Sequence, residues 1–199
     1  MNNKRDKKIN TLLSLMNSAI ESKRIQEEET VVKALSDCNF RGANQLRISR
    51  KKSYIRFGVS FNLPDYWRAT KINKPNDAIF LESGQRTGGI LNVTRFRADF
   101  RGYENCDKME HFASAMMRDV SNLSCEFIDT VKIRKRDMVR AVCVQEDVKQ
   151  GHGAYRVRFY YYYKSKTEIL VLKFSYPQEN EHLYIKMVRE TLESLHRVR

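Results

Sequence analysis

Residues 154–177 read AYRVRFYYYYKSKTEILVLKFSYP, two runs of aromatic and aliphatic residues that flank the short polar stretch Lys164-Ser165-Lys166. A connection this short joins two antiparallel strands in a hairpin. Pro177 ends the second run, because proline has no N–H group to donate to a sheet. The stretch therefore predicts two long neighbouring strands, and Gly151-His152-Gly153 predicts a further hairpin turn in front of them.

More strands are predicted on the amino-terminal side of this hairpin. Residues 55–63 alternate apolar with polar or small residues before Pro64, which predicts one strand with a single apolar face. Other runs of this kind lie at residues 78–82, 90–97, 126–133 and 138–146. Since the last strands are joined by short turns, we expect them to form an antiparallel meander.

Two segments repeat apolar residues at helical spacing. Residues 107–120 place Met109, Phe112, Ala113, Met116, Met117 and Val120 on one face, with Asp107 available as a cap. The second stripe consists of Tyr184, Met187, Val188, Thr191, Leu192 and Leu195. The order of elements predicts an α+β fold, in which a largely antiparallel sheet is flanked by helices.

The first 52 residues form a separate basic region with 12 Lys and Arg against 6 Asp and Glu. Leu12 and Met16 belong to an apolar stripe that predicts a helix, and Arg47, Arg50, Lys51 and Lys52 form the densest basic cluster. We therefore predict a helical extension over residues 1–52 and a single domain over residues 53–199. Two interpretations stay open: the helices dock on the domain, or they form an arm that binds a partner or a second copy.

The predicted strand over residues 154–164 provides a second candidate binding site. Tyr155, Val157, Phe159, Tyr161 and Tyr163 fall on one face, which we assign to the core. The other face combines Arg156 and Arg158 with Tyr160 and Tyr162, a mixture enriched at protein-binding hot spots. The alternative is a covered sheet face, in which the tyrosines pack under a helix and the arginines pair with acidic residues. Lys132, Arg134, Lys135 and Arg136 form another basic group, interpreted as a solvated turn.

The sequence shows no catalytic, cofactor or metal signature. The four histidines are scattered, and the motifs HExxH, GxSxG and CxxC do not occur. We expect the cysteines to be buried and reduced, and we expect the chain not to be an enzyme and to need no cofactor. A catalytic site assembled from distant residues would leave no trace of this kind.

The net charge of +13 favours acidic proteins, phosphates or anionic lipid as partners. Hydrophobic residues make up 41% of the chain, which is typical of a folded protein and not of a disordered or fibrous one. No apolar run approaches the roughly 18–20 residues that a membrane span requires. The opening residues do not read as a signal peptide, so we expect a cytoplasmic protein without a transmembrane segment.

Three stretches resemble the PsbP/DcrB-like superfamily, which includes the Ran-binding Mog proteins and the Eag chaperones of type VI secretion effectors. They are residues 59–67, VSFNLPDYW; the helix at residues 109–120; and residues 174–177, FSYP, followed by a helix that ends in LESL at residues 192–195. The resemblance implies a PsbP/Mog-like sandwich over about residues 54–198, in proteins that mostly bind other proteins and rarely catalyse. The basic extension departs from the compact pattern of that family.

Two functions are therefore predicted. The first is a non-catalytic protein-binding module, an adaptor or a chaperone-like protein, with a secretion or immunity role as the narrower form that the resemblance implies. Its partner would be a protein with an acidic or amphipathic surface, or a second copy in a homodimer. The alternative is a nucleic-acid-binding protein that uses the basic and aromatic residues, although the 24 acidic residues speak against it.

Overall fold

The structure is a computed structural model, and it describes residues 50–70, 74–83, 88–118, 120, 122–146 and 154–198. Residues 1–49 of the predicted helical extension, with Leu12, Met16 and Arg47, lie outside these residues. Within them the chain forms two sheets, two α-helices and one short 3₁₀ helix, Gln178–Asn180. The prediction of an α+β fold is confirmed.

The larger sheet has seven strands in the order β3-β4-β5-β9-β8-β7-β6. Its strands are β3 Trp67–Ala69, β4 Asp77–Glu82, β5 Ile90–Arg97, β6 Leu123–Ile133, β7 Arg136–Glu146, β8 Ala154–Ser165 and β9 Glu168–Pro177. All neighbouring pairs are antiparallel. The predicted meander is therefore present, and β6 continues it at one edge.

The smaller sheet has the order β1-β2-β10 and is also antiparallel. It consists of β1 Lys51–Arg56, β2 Val59–Pro64 and β10 His196–Arg197. The helices are α1 Cys106–Arg118 and α2 Glu181–Ser194. α2 packs with the small sheet over one face of the large sheet, whereas α1 covers the opposite face.

Both faces of the large sheet are therefore buried in the middle. On β9, Leu172 and Phe174 face α2 and the small sheet, while Ile169 and Val171 face α1. All four side chains are at most 3% exposed. The two apolar clusters lie on opposite faces of the same strands, which gives the domain three layers at its centre.

The predicted strand over residues 55–63 is in fact the hairpin β1–β2. Phe57 and Gly58 lie at its turn with positive φ angles of 51° and 68°. Positive φ at both central residues is the geometry of a tight hairpin turn whose twist matches its strands. Apolar alternation continues through such a turn, so the pattern did not reveal the break. The two strands are buried to different degrees: Ile55 on β1 is 56% exposed, whereas Phe61 on β2 is 0% exposed.

The structure differs from the sequence-based expectations at three smaller points. The amino-terminal cap of α1 is Asn105 and not the predicted Asp107. Asn105 Oδ1 accepts a hydrogen bond from the Asp107 N–H at 2.8 Å. The short strand β3 was not predicted. Cys106, Cys125 and Cys143 are free thiols, but Cys125 is exposed and Cys106 half-buried, so only Cys143 fits the predicted burial.

Candidate functional site

The two faces of β8 are arranged as the alternation predicts. Phe159 and Tyr161 pack under α1, while Tyr160 and Tyr162 lie in the core beneath α2 and the small sheet. Tyr160 and Tyr162 are 5% and 6% exposed. They therefore offer almost no surface to a partner, and the structure favours the alternative of a covered sheet face.

The arginines of the same face are held by acidic residues. Arg158 Nη2 donates to Glu181 Oε1 at 2.5 Å, and its Nε donates to the Tyr176 hydroxyl at 2.7 Å. Arg156 forms an ion pair with Glu126 and lies 3.4 Å from Glu181 Oε1. These contacts join β8 to β6 and to the first turn of α2. Partner binding through these four residues of β8 stays a prediction, and their contacts serve the fold.

Positive charge collects at one end of the large sheet. Strands β5, β6 and β8 end here, and strands β7 and β9 begin here. The register shows this: the last residue of β5, Arg97, and the last residue of β8, Ser165, both pair with Glu168 at the start of β9. In the same way, Ile133 at the end of β6 pairs with Arg136 at the start of β7. The turn of the β1–β2 hairpin lies at the same end, since a Cβ on Gly58 would lie 3.1 Å from Lys164 Nζ. We call this region the basic end; its cations are Arg56, Arg95, Arg97, Lys132, Arg134, Lys135, Arg136, Lys164, Lys166 and Arg197.

A half-buried carboxylate lies at the centre of the basic end. Glu168 Oε2 accepts from Lys164 Nζ at 2.5 Å, while its Oε1 lies 3.1 Å from Arg97 Nε and 3.8 Å from Arg95 Nη1. Burial raises the pKa of Glu168, but the hydrogen bonds from Lys164 and Arg97 outweigh this effect, so its pKa lies below the ordinary value. One negative charge therefore faces three positive charges.

Replacing Glu168 with glutamine is expected to destabilise the domain at neutral pH by about 1–3 kcal/mol, because three clustered cations lose their shared acceptor. A carboxyl whose pKa is lowered by folding stabilises the folded state above its unfolded pKa, and this stabilisation is lost as the pH falls through the folded pKa. The difference between wild type and variant should therefore shrink below about pH 4.

Urea unfolding at pH 7 and at pH 3.5 measures this difference, given an unfolded pKa of about 4.3 for glutamate. Glu193→Gln is the matched control, since Glu193 accepts from Arg189 in an exposed helical pair and should cost at most about 0.5 kcal/mol. An equal loss for Glu168→Gln at both pH values would contradict the assigned role of the carboxylate.

Aromatic rings support several of these cations. Arg95 stacks over Phe57 at 4.9 Å, and Arg136 over Tyr162 at 5.6 Å from the ring centroids. Arg136 and Arg197 also line a cleft of about 530 Å³ together with Glu104, Asp137, Tyr162 and Tyr163. The guanidinium of Arg95 also donates to the Asn76 side chain and to the Pro75 carbonyl, so Arg136, which lines the cleft, is the better placed of the two to bind an anion.

The β6–β7 turn is the most open part of the basic end. Lys132, Arg134 and Lys135 are exposed, and Arg134 adopts a positive φ of 57° at the turn. Within the part of the chain that the structure describes, none of the three forms an ion pair. The turn therefore presents three cations to the solvent, and Asp137, the register partner of Lys132, lies beside them.

The other predicted basic cluster, of which Arg50, Lys51 and Lys52 are described, lies at the start of β1 and therefore at the end of that strand away from the β1–β2 turn. Lys51 Nζ lies 3.1 Å from Glu190 Oε2, and Lys52 Nζ lies 5.5 Å from the centroid of the Tyr54 ring. The carbonyl of Arg50 accepts the Asp65 N–H at 2.8 Å. Lys51 and Lys52 thus belong to β1 and not to a separate extension, and they lie apart from the basic end.

No protein-family model matches the sequence, and no curated protein matches it. Solved structures do match. The Ran-binding protein Mog1p of Saccharomyces cerevisiae gives a TM-score of 0.51 at 9% identity, with 75% of this chain and 96% of Mog1p covered. The cyanobacterial PsbP of Synechocystis gives 0.52 at 10% identity, with 79% and 98% covered. The chain has the PsbP/Mog-like fold.

A protein of Bacteroides thetaiotaomicron also matches this chain, over part of its own length. It matches with a TM-score of 0.52 at 16% identity, and the aligned region covers 74% of this chain. The chain spans about half of that protein, since only 48% of the Bacteroides chain is covered. At these identities the similarity establishes the fold and leaves the function to the residues of this chain.

On this PsbP/Mog-like fold, the described residues contain no group of three His, Cys, Asp or Glu side chains placed to hold a metal ion. No described helix is both long and apolar enough to cross a bilayer. The basic end was missed by sequence reasoning, because its members come from turns far apart along the chain. The runs Lys132 to Arg136 and Lys164 to Lys166 were its only visible signals.

Proposed function

We propose that the chain is a non-catalytic protein-binding domain whose basic end binds an acidic surface of another protein. The observation behind this proposal is the β6–β7 turn, where Lys132, Arg134 and Lys135 are exposed at the same end of the large sheet as the half-buried cluster of one carboxylate and three cations. Clustered surface charge accelerates association with a complementary partner and suppresses binding of partners with like charge.

The fold supports a binding role. Mog1p, which has this fold, is a Ran-binding protein. Two of the described histidines contact their own main chain: His111 Nδ1 lies 2.6 Å from the Asp107 carbonyl, and His196 Nδ1 lies 2.9 Å from the Ser194 carbonyl. Such a bond at Nδ1 fixes the tautomer and the orientation of the ring.

More specific roles stay proposals. An adaptor or chaperone function, a link to secretion or immunity, a cytoplasmic location and homodimer formation all rest on the resemblance or on composition. The basic extension over residues 1–52 would add to the charge of the basic end if it contacted the same partner. Removing it while the domain stays folded would separate the two contributions.

Reversing charge at the β6–β7 turn is expected to weaken binding of the acidic partner at least about tenfold. The variant Arg134→Glu/Lys135→Glu removes two exposed cations without touching the core. Lys186→Glu/Arg189→Glu is the matched control, since it changes the net charge equally on the outer face of α2, where both side chains are at least 75% exposed. Affinity for a glutamate-rich peptide measures the effect, with the full chain as the binding protein.

The same three proteins should then be used to isolate partners from lysate with and without nuclease, at low and at raised salt. A protein retained by wild type and by the α2 control, but lost by the turn variant, supports the proposal. Recovery of nucleic acid alone, with steep loss as the salt rises, would replace it with the nucleic-acid function. Equal retention by all three proteins would place the binding site elsewhere.

A further inference from the structure

Two cysteines face each other across the edge of the large sheet. Cys125 on β6 is the register partner of Cys143 on β7, and the ladder shifts by one residue immediately after Cys125. The residue left over at this bulge is Glu126, whose carboxylate pairs with Arg156. The two thiols are therefore neighbours in a part of the strand where the pairing is already irregular.

The spacing of such a pair is close to that of a disulfide. Directly opposed residues of antiparallel strands have Cβ atoms about 4.5–5.5 Å apart, whereas a disulfide needs about 3.5–4.5 Å. An approach of roughly 1 Å is therefore sufficient. A β-bulge bends its strand locally and loosens the ladder, so it can supply this movement without breaking the core.

The two thiols differ in access. Cys125 is exposed, whereas Cys143 is fully buried, with its Sγ 3.7 Å from the Met117 Sδ. Burial raises the pKa of the Cys143 thiol to about 12, and its hydrogen bond with the Cys125 thiol adds to this. An oxidant in solution can therefore reach the Cys125 thiol first, whereas burial shields the Cys143 thiol from the oxidant.

We propose that Cys125 and Cys143 form a site of reversible oxidation by hydroperoxides, at which the exposed thiol reacts first and the buried thiol closes a disulfide. In the first step the Cys125 sulfur attacks the peroxide, and the O–O bond breaks to give a sulfenic acid and one water or alcohol molecule. In the second step the Cys143 sulfur attacks the sulfenic sulfur, and its proton leaves with the hydroxyl group as water. Two thiols are oxidised and one peroxide is reduced.

This site is independent of the basic end. The disulfide would link the edge strand β6 covalently to β7. It would also close a loop that contains the β6–β7 hairpin, which lowers the conformational entropy of the unfolded chain. Edge strands have unpaired main-chain groups on one side, so a covalent link between β6 and β7 would also limit local unfolding of β6. Thiol-reducing systems of a cell would open the bond again, as is usual for disulfides that form transiently inside cells.

The test treats the full-length protein with a small excess of hydrogen peroxide and then maps its peptides by mass spectrometry without reduction. The expected result is an intact chain that has lost the mass of two hydrogen atoms, with one linked peptide that contains Cys125 and Cys143. Dithiothreitol should restore the original mass. Thermal unfolding should shift upward by about 5 °C in the oxidised form.

Variants make the assignment specific. Cys38→Ser/Cys106→Ser lacks the other thiols and should form the linked peptide as fast as wild type does. Cys125→Ser changes an exposed side chain and should abolish the link. The proposal would be overturned if Cys125 accumulated as sulfinic acid while Cys143 stayed reduced. Linkage between two chains, or linkage of either cysteine to Cys38 or Cys106, would overturn it equally.

Discussion

Replacing Phe61 with alanine is expected to destabilise the domain by about 3–5 kcal/mol, because a large aromatic side chain is lost from a packed core. Phe61 lies on β2 and is 0% exposed. Its ring meets that of Phe80 on β4 edge to face at 5.4 Å and lies 6.3 Å from that of Tyr54 on β1. It therefore joins the small sheet to the large one, and the cavity left by alanine cannot be filled by either strand alone.

Urea unfolding followed by tryptophan fluorescence measures this loss. Trp67 is the only tryptophan of the chain and is 1% exposed, so its emission reports on the same apolar cluster. Ile55→Ala is the matched control, since Ile55 lies on the same hairpin but is 56% exposed, and it should change stability by at most about 0.5 kcal/mol. Similar losses for both variants would contradict the placement of the hairpin.

The domain is also expected to lose stability steeply between about pH 10 and pH 12, because burial raises the pKa of Tyr176 to about 12. Tyrosine carries no charge when protonated, so a raised pKa means that folding favours the protonated form. Such a group stabilises the folded state below its unfolded pKa of about 10, and this stabilisation is lost as the pH rises through the folded pKa. Two pKa units correspond to about 3 kcal/mol.

Measuring the free energy of unfolding at pH 8, 10 and 11.5 tests this pH dependence. The pH range follows from a pKa of about 10 for Tyr176 in the unfolded chain and about 12 in the folded domain. Tyr176→Phe removes the ionising hydroxyl, which accepts from Arg158 Nε at 2.7 Å, and should cost about 1 kcal/mol at pH 8. Above pH 10 the variant should lose less stability than wild type does. Parallel curves for the two proteins would contradict a buried phenol at this position.

Local patterns predicted most of the fold. The alternation over β8 and β9 and the helical stripe of α1 depend only on which side chains lie on one face, so they can be read from a single chain. The turn at Phe57 and Gly58 could not be read in this way. A hairpin whose turn keeps the apolar alternation looks like one continuous strand, and only the positive φ angles distinguish the two.

The candidate site was less accessible to prediction because it depends on long-range contacts. The pattern placed Arg158 and Tyr160 on one face of β8 correctly, yet nothing local showed that α2 would cover that face. The contact of Arg158 with Glu181 joins positions 23 residues apart, and the hydrogen bond of Tyr184 with Glu82 joins positions 102 residues apart. The basic end likewise brings together Arg56, Arg136 and Arg197, which no window of sequence contains.

The burial of the large sheet on both faces limits how this domain can change during evolution. Substitutions on the central strands β8 and β9 must satisfy two packed layers at once, so most of them would be lost through instability. The β6–β7 turn bears no such constraint, because its charged side chains Lys132, Arg134 and Lys135 are exposed. Under the function proposed above, a lineage could exchange one partner for another by altering a few turn residues, while sequence identity across the whole fold drifts very low.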